Sequence, residues 1–262
     1  MTTPRPVNLQ PYFFVLQDVE DQRNGCLHWP DLFGNDHPVE IDVGCGRGLF
    51  LFHAAQWHPE RNFLGIELDY TEGRRGARRL MKQGFPNARV LGGDVFVAFS
   101  KMIAPHSVSA IHVYFPDPWW KRRHRQRRVF NDRFADLAAR LLIPGGFLHS
   151  WTDVEEYFGV ISGLMDHHAQ FSACPPPTER APGDDMDYQT SYERKKRKLG
   201  LPIYRGLWQR RPLTAAEDNA ATETGAAETG AVLADTGTGE AGTVAGEAGR
   251  AVQSNRRNSD RA

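Results

Sequence analysis

A short apolar strand, Val39–Val43, runs straight into Gly44-Cys45-Gly46-Arg47-Gly48, and then into a helical run over Leu49–Trp57. A strand that enters a helix through three alternating glycines leaves few architectures open, because the backbone must turn tightly and expose its amides at a strand end. The same rhythm repeats downstream. Asn62–Ile66 reads as a second strand, followed by Glu67-Leu68-Asp69 and a helix that Thr71 can cap and Gly84 can stop. Arg89–Leu91 is a third strand leading to Gly92-Gly93-Asp94, with a short helix to about Ile103. Val108–Phe115 is a fourth. Phe134, Leu137, Ala138, Leu141 and Leu142 follow helical spacing, Phe147–Trp151 is a fifth strand, and Val154–His167 a long helix. Strands alternating with helices predict an open, mostly parallel sheet covered on both faces. Ile203–Gln209 reads as a final edge strand, and 175–187 as a polar, proline-rich loop.

Composition divides the chain. Residues 1–35 read as an irregular N-terminal extension and 36–211 as the folded domain. From Pro212 to Ala262 the sequence is mostly Ala, Gly, Thr and Glu without an aromatic residue, which predicts a disordered tail. That tail holds eight acidic side chains against four arginines, so the overall charge of zero hides a mildly basic body. Cys26, Cys45 and Cys174 fit neither a disulfide framework nor a zinc site, and no metal is expected. No signal peptide or membrane-length apolar run is evident, so a cytoplasmic protein without membrane contact is the expectation.

The unusual residues gather at strand ends, where doubly wound sheets bind ligands. Gly44, Gly46 and Gly48 permit close approach, but Leu49 breaks the spacing of the dinucleotide fingerprint and disfavours NAD. Glu67, at the end of the second strand, can accept both hydroxyls of a ribose. Asp94, at the end of the third, can meet an adenine amino group or serve as a helix cap. Glu40 lies inside the first strand, where a carboxylate is costly without a partner. A cationic cofactor such as S-adenosylmethionine, with its sulfonium and ammonium, would supply one; a buried pair with Lys or Arg is the alternative. Asp42 is read as pointing to the other face and has no assigned role.

The fourth strand ends in Phe115-Pro116-Asp117-Pro118-Trp119-Trp120, and six of the next eight residues, Lys121 to Arg128, are Lys or Arg. Two prolines restrict the backbone around Asp117. Trp119 and Trp120 offer faces for a base, and the basic run can neutralise phosphates. A purine acceptor suits this set. Guanine N7 has a lone pair and no proton to lose, so its methylation depends on alignment more than on a base. Asp117 can accept from guanine N1–H and the amino group and can offset developing positive charge.

Pro116-Asp117-Pro118-Trp119-x-Lys121-x-x-His124-x-x-Arg127-Arg128, with Thr152-Asp153 and Thr190-Ser191-Tyr192-Glu193 downstream, resembles the bacterial tRNA (guanine-N7-)-methyltransferase family over about Leu32 to Trp208. The resemblance implies a class I S-adenosylmethionine-dependent methyltransferase fold, Rossmann-like, with a mostly parallel seven-stranded sheet. It implies methylation of guanine 46 in the tRNA variable loop, with tRNA as partner. It places Glu40, Gly44, Gly46, Glu67, Asp94 and Asp117 at S-adenosylmethionine, with Asp117 catalytic at the junction with the base. Lys121, Asp153 and Thr190, Ser191, Tyr192 and Glu193 are implied to bind substrate, and Arg123, His124, Arg127 and Arg128 to touch RNA. Bland roles compete: Thr152-x-x-Glu155 is a capping-box pattern, and Glu193 can pair with the five cations that follow it. Arg74, Arg75, Arg78, Arg79 and Lys82 read as a solvated helix face. Two rival readings stand beside this one. The first is a methyltransferase of the same fold acting on another RNA base or a small molecule; an amino-methylating enzyme favours Asn-Pro-Pro-Tyr where this chain has Pro-Asp-Pro-Trp. The second is a non-catalytic RNA-binding subunit, which loss of Glu67 or Asp117 would have suggested. Oligomeric state stays open between monomer and homodimer.

Overall fold

A computed structural model describes residues 7–178 and 190–212. The C-terminal segment read as a disordered tail and part of the proline-rich loop lie outside the described residues. The chain begins with β1 (Phe13–Val15), α1 (Leu16–Gln22) and α2 (Trp29–Phe33), then β2 (Val39–Val43) and α3 (Leu49–Trp57). Next come β3 (Asn62–Glu67), α4 (Tyr70–Gln83), β4 (Ala88–Gly92), the single turn α5 (Val95–Val97) with a π-helical turn at Ala98–Met102, and β5 (Val108–Tyr114). A 3₁₀ turn at Arg122–Arg127 leads to α6 (Asp132–Leu141), β6 (Leu142–Thr152), α7 (Glu155–His167), β7 (Phe171–Cys174), α8 (Ser191–Lys198) and β8 (Tyr204–Arg210).

The strands form one eight-stranded sheet in the order β1-β4-β3-β2-β5-β6-β8-β7. All pairings are parallel except the two made by β8, which runs antiparallel between β6 and β7. The last strand is therefore internal, not the edge strand expected from its sequence. The irregular reading of the first 35 residues also changes: β1 adds an eighth strand beside β4, and Val19, Leu32 and Phe33 of α1 and α2 enter the main core. Every residue of β2 and β4 is buried, which is why both read as short runs rather than alternating patterns. Going outward from β2, the chain order runs through β3 and β4 on one side and β5 and β6 on the other. The switch point lies between the carboxyl ends of β2 and β5.

Two apolar layers cover the sheet. Ile41, Val43, Ile111 and Val113 face the layer containing Phe99, Phe134, Tyr157 and Ile161. Phe63 and Val90 face the layer containing Phe50 and Leu51 of α3 and Ala77 and Leu80 of α4. Asp69, not Thr71, caps α4, accepting from the amides of Thr71 and Glu72, and Gly84 closes it in the left-handed region at φ 69°. Among the described residues no helix is long and apolar enough to cross a membrane.

Candidate active site

The turn after β2 places Gly44, Gly46 and Gly48 at φ 72°, 52° and 64°, a region that side chains disfavour. A Cβ on Gly44 or Gly46 meets nothing within 4 Å, so open room lies over the turn. Gly76 of α4 holds the turn from behind: a Cβ there lies 3.1 Å from the Arg47 carbonyl carbon and 3.2 Å from the Gly48 nitrogen. Gly46 N–H donates to Oε2 of Glu67 at 2.8 Å, and Asp69 N–H donates to Oε1 at 2.8 Å. Two backbone amides thus fix the Glu67 carboxylate at the end of β3, and a carboxylate with about four acceptor positions keeps two for a ligand. Asp94 caps α5 by accepting from Phe96 N–H at 2.7 Å through Oδ1. Its capping and ligand roles are compatible, because Oδ2 is not used for the cap.

Glu40 has the ion-pair partner that its buried position called for. Val39, Ile41 and Val43 face one layer, so Glu40 and Asp42 both face the other, because strand side chains alternate. The earlier placement of Asp42 on the opposite face is thereby corrected. Glu40, 6% exposed, accepts from Arg61 Nη1 at 2.6 Å and from His112 Nε2 at 2.7 Å. Burial pushes its pKa upward, but the bonds and charges of His112 and Arg61 prevail and bring it down to about 2. Both oxygens are engaged by protein, so Glu40 already has the partners a buried carboxylate needs and does not require a cationic cofactor to explain it. It borders a cleft of about 470 Å³ along the sheet face, lined also by Trp57, His112, Phe147, His149 and Trp151. His149 stacks on His112 with ring centres 4.8 Å apart, and burial followed by the His112 charge lowers its pKa to about 3.

Asp42, two residues nearer the glycine turn, is buried, and no hydrogen bond reaches its side chain among the described residues. Burial, then the charge of Glu67, raises its pKa to about 8. A buried carboxylate without a donor, under the turn and beside a second carboxylate, fits a cationic ligand group. The residues at this end of the sheet therefore fit S-adenosylmethionine. Asp42 lies nearer the glycine turn than Glu40, with only Val43 between it and Gly44.

The loop after β5 is held at both ends. Phe115 and Trp119 adopt φ 51° and 41°, left-handed values uncommon outside glycine. Phe115 N–H donates to the Trp151 carbonyl at 2.7 Å, and its ring stacks on Tyr192 at 5.9 Å. Asp117 is exposed between its two prolines. The basic run splits in two. Lys121, Arg122, Arg123 and Arg125 are exposed to solvent beside Trp120, itself 52% exposed. Arg127 is exposed as well and lies over the Trp119 ring at 5.1 Å, His124 meets the same ring edge-on at 5.7 Å, and Arg128 alone of these cations is half-buried. Of the cations expected at the RNA, Arg128 is the one whose guanidinium bonds to the loop backbone, at the Pro118 carbonyl.

The downstream motif is helical. Thr190 caps α8 by accepting from Glu193 N–H at 3.0 Å. Glu193, 3% exposed, pairs with Arg197 at 2.9 Å, and Arg205 lies over Trp151 at 4.8 Å. Asp153 pairs with Lys196 at 2.5 Å, and Val154, not Thr152, is the cap position of α7. These contacts set Tyr192 against Phe115, so residues about 75 apart in sequence meet at the loop carrying Asp117.

A mainly parallel sheet with a glycine turn, a strand-end carboxylate and an aspartate-bearing loop across the switch point defines a class I S-adenosylmethionine-dependent methyltransferase. The 16S rRNA methyltransferase KamB shares that fold, with a TM-score of 0.52 and 15% identity over 70% of this chain and 93% of that one. A family model described as "Putative methyltransferase" matches residues 36–206. Proteins named tRNA (guanine-N(7)-)-methyltransferase match at 42% identity in Rhodopirellula baltica (69% of each chain) and 33% in Rubrobacter xylanophilus (71% of this chain, 82% of that one). One from Vibrio cholerae matches at 32%, over 72% and 80%. The chain belongs to the tRNA (guanine-N(7)-)-methyltransferase family.

Proposed function

We propose that this protein methylates N7 of guanine in tRNA, at position 46 of the variable loop, with S-adenosylmethionine as donor. The observation that carries this reading is Asp117, fixed between two prolines beyond the carboxyl end of β5 and across the switch point from the glycine turn and Glu67. S-adenosylmethionine supplies an electrophilic methyl group on a sulfonium. Glu67 receives the ribose hydroxyls on its two spare acceptor positions, Asp94 faces the nucleoside edge, and the open room over Gly44 and Gly46 admits the ligand backbone-close. Asp42 balances the positive charge of the amino-acid part.

Asp117 accepts from guanine N1–H and the amino group. That turns N7 toward the methyl group and offsets the positive charge that grows on the ring. No general base is required, because N7 carries no proton. Trp120 provides an exposed face for a base. Lys121, Arg122, Arg123 and Arg125 neutralise phosphates. Asp153 and the Thr190–Glu193 segment, with Ser191 and Tyr192, build the rim on which the variable loop rests. The reaction belongs in the cytoplasm, where tRNA is available.

The test is methyl transfer to an unmodified tRNA and to the same tRNA with guanine 46 replaced by adenine. Label is expected only in the first. Equal incorporation into both overturns the assigned position, and none into either, with cofactor binding intact, overturns the tRNA reading.

A further inference from the structure

Arg128 is the one half-buried cation at the end of a run whose other members mostly face solvent. The 3₁₀ turn over Arg122–Arg127 folds the chain back, so that Arg128 Nε donates to the carbonyl of Pro118, ten residues earlier, at 2.7 Å. That carbonyl belongs to the residue next to Asp117. It precedes Trp119, whose left-handed φ turns the chain away from any regular pairing, and no backbone amide among the described residues reaches it. The guanidinium also lies over the ring of Tyr157, 4.9 Å from its centre. Tyr157 is fully buried in α7 and belongs to the main core. The backbone carbonyl of Arg128 is held in turn by Asn131 Nδ2 at 3.1 Å, and Asn131 caps α6. One residue therefore ties the loop to α7 through its side chain and to α6 through its backbone carbonyl.

We infer that Arg128 is a positioning residue for Asp117, clamping the Pro118 carbonyl against Tyr157, and not a phosphate contact. The electrostatics agree. Burial pushes the Tyr157 phenol up to about 12; Arg128 opposes that rise and Asp117 adds to it, so both charges are felt at the phenol. Arginine suits the task where lysine does not. A planar guanidinium can donate from Nε while its face lies on an aromatic ring, whereas an ammonium is a point charge on a flexible stem. A loop shifted by about 1 Å costs up to about 100-fold in rate.

The inference rests on the tRNA reading for its kinetic readout, so a second readout is independent of it. Arg128→Gln and Arg128→Lys are compared with Arg125→Ala in steady-state methylation with tRNA varied, in tRNA binding against salt, and in hydrogen exchange of the 115–121 amides. The clamp predicts that both Arg128 variants lose about tenfold or more in kcat, with KM for tRNA within about twofold and the salt slope unchanged. It predicts faster exchange in 115–121 for both, without faster exchange in β2 or α7. Arg125→Ala shows the opposite split, a raised KM and a shallower salt slope. A phosphate role instead predicts that Arg128→Lys restores activity and that Arg128→Gln raises KM and flattens the salt slope; that result overturns the clamp. Unchanged loop exchange in Arg128→Gln overturns it as well, whatever the acceptor proves to be. If the wild type methylates no tRNA while the exchange result holds, the functional reading fails and the clamp stands.

Discussion

His112 donates from Nε2 to Glu40 at 2.7 Å, and this bond, with that of Arg61, keeps a carboxylate ionised inside the sheet. Asp42 lies two residues further along the same strand face, is buried, and receives no such bond among the described residues. The pair separates structure from chemistry. Breaking a buried ion pair by removing one charge costs about 3–5 kcal/mol. Glu40→Gln is therefore expected to lose about 3 kcal/mol in urea unfolding while cofactor affinity in the folded protein stays within about threefold. Asp42→Asn is expected to do the reverse: equal or greater stability at pH 8, and cofactor affinity lower by about tenfold or more. Calorimetric titration and denaturation of both variants check this.

The raised pKa of Asp42 sets a pH dependence for binding. Its folded value of about 8 lies above the ordinary carboxylate value, so the free protein holds that proton at neutral pH. A cationic ligand favours the ionised form and displaces the proton on binding. Affinity for S-adenosylmethionine is then expected to rise between pH 6 and 8 more steeply in the wild type than in Asp42→Asn. Titrations in buffers of different ionisation heat should detect the released proton. Parallel pH profiles for the two proteins count against this assignment of Asp42.

Acid sensitivity follows from the opposite shifts. Glu40 titrates near 2 in the fold and at its ordinary, higher value when unfolded; His149 titrates near 3 in the fold against about 6.5 unfolded. For each, the unfolded chain binds more protons between the two values, so stability falls as pH falls. The His149 contribution is present above about pH 6.5 and is lost from there to about 3; that of Glu40 is lost below about 4.5. His149→Phe is expected to flatten the loss of stability between pH 6.5 and 4, measured by urea unfolding at a series of pH values.

Gly76 opposes two effects of known sign. In a helix interior, Gly→Ala ordinarily gains up to about 1 kcal/mol. Here the new Cβ comes within 3.1–3.3 Å of backbone atoms of Gly46, Arg47 and Gly48, which cannot move without disturbing the ligand turn. Overpacking of this kind costs about 1–3 kcal/mol. Gly76→Ala should therefore lower both thermal stability and cofactor affinity, while Gly84→Ala, at the end of the same helix, affects stability alone through its positive φ.

Much of the fold was legible because burial on both faces leaves a plain mark. β2, β3, β4 and β5 lie within a residue or so of the apolar runs that announced them. The three-residue β1 was not, since so short a strand carries no period. α8 was hidden because Ser191–Lys198 contains no apolar stripe and reads as a run of charge; its stability comes from the Thr190 cap and the ion pairs of Glu193 and Lys196. The internal place of β8 depends on antiparallel pairing with two strands and leaves no local trace. At the site, the strand-end positions of Glu67 and Asp94 and the loop of Asp117 followed from sequence. The ion pair that satisfies Glu40 was not legible, because Arg61 and His112 lie 21 and 72 residues away from it. The inward turn of Arg128 at the end of the basic run was equally invisible, because it depends on where a 3₁₀ turn returns the chain.

The most direct test of the account is single-turnover methylation of tRNA by Asp117→Ala, with 7-methylguanosine mapped at position 46 and S-adenosylmethionine affinity measured on the same preparation. The account predicts product at guanine 46 with the wild type, a rate lower by about 100-fold or more in the variant, and cofactor affinity within about threefold. A variant that methylates guanine 46 at a rate comparable to wild type would contradict the role given to Asp117.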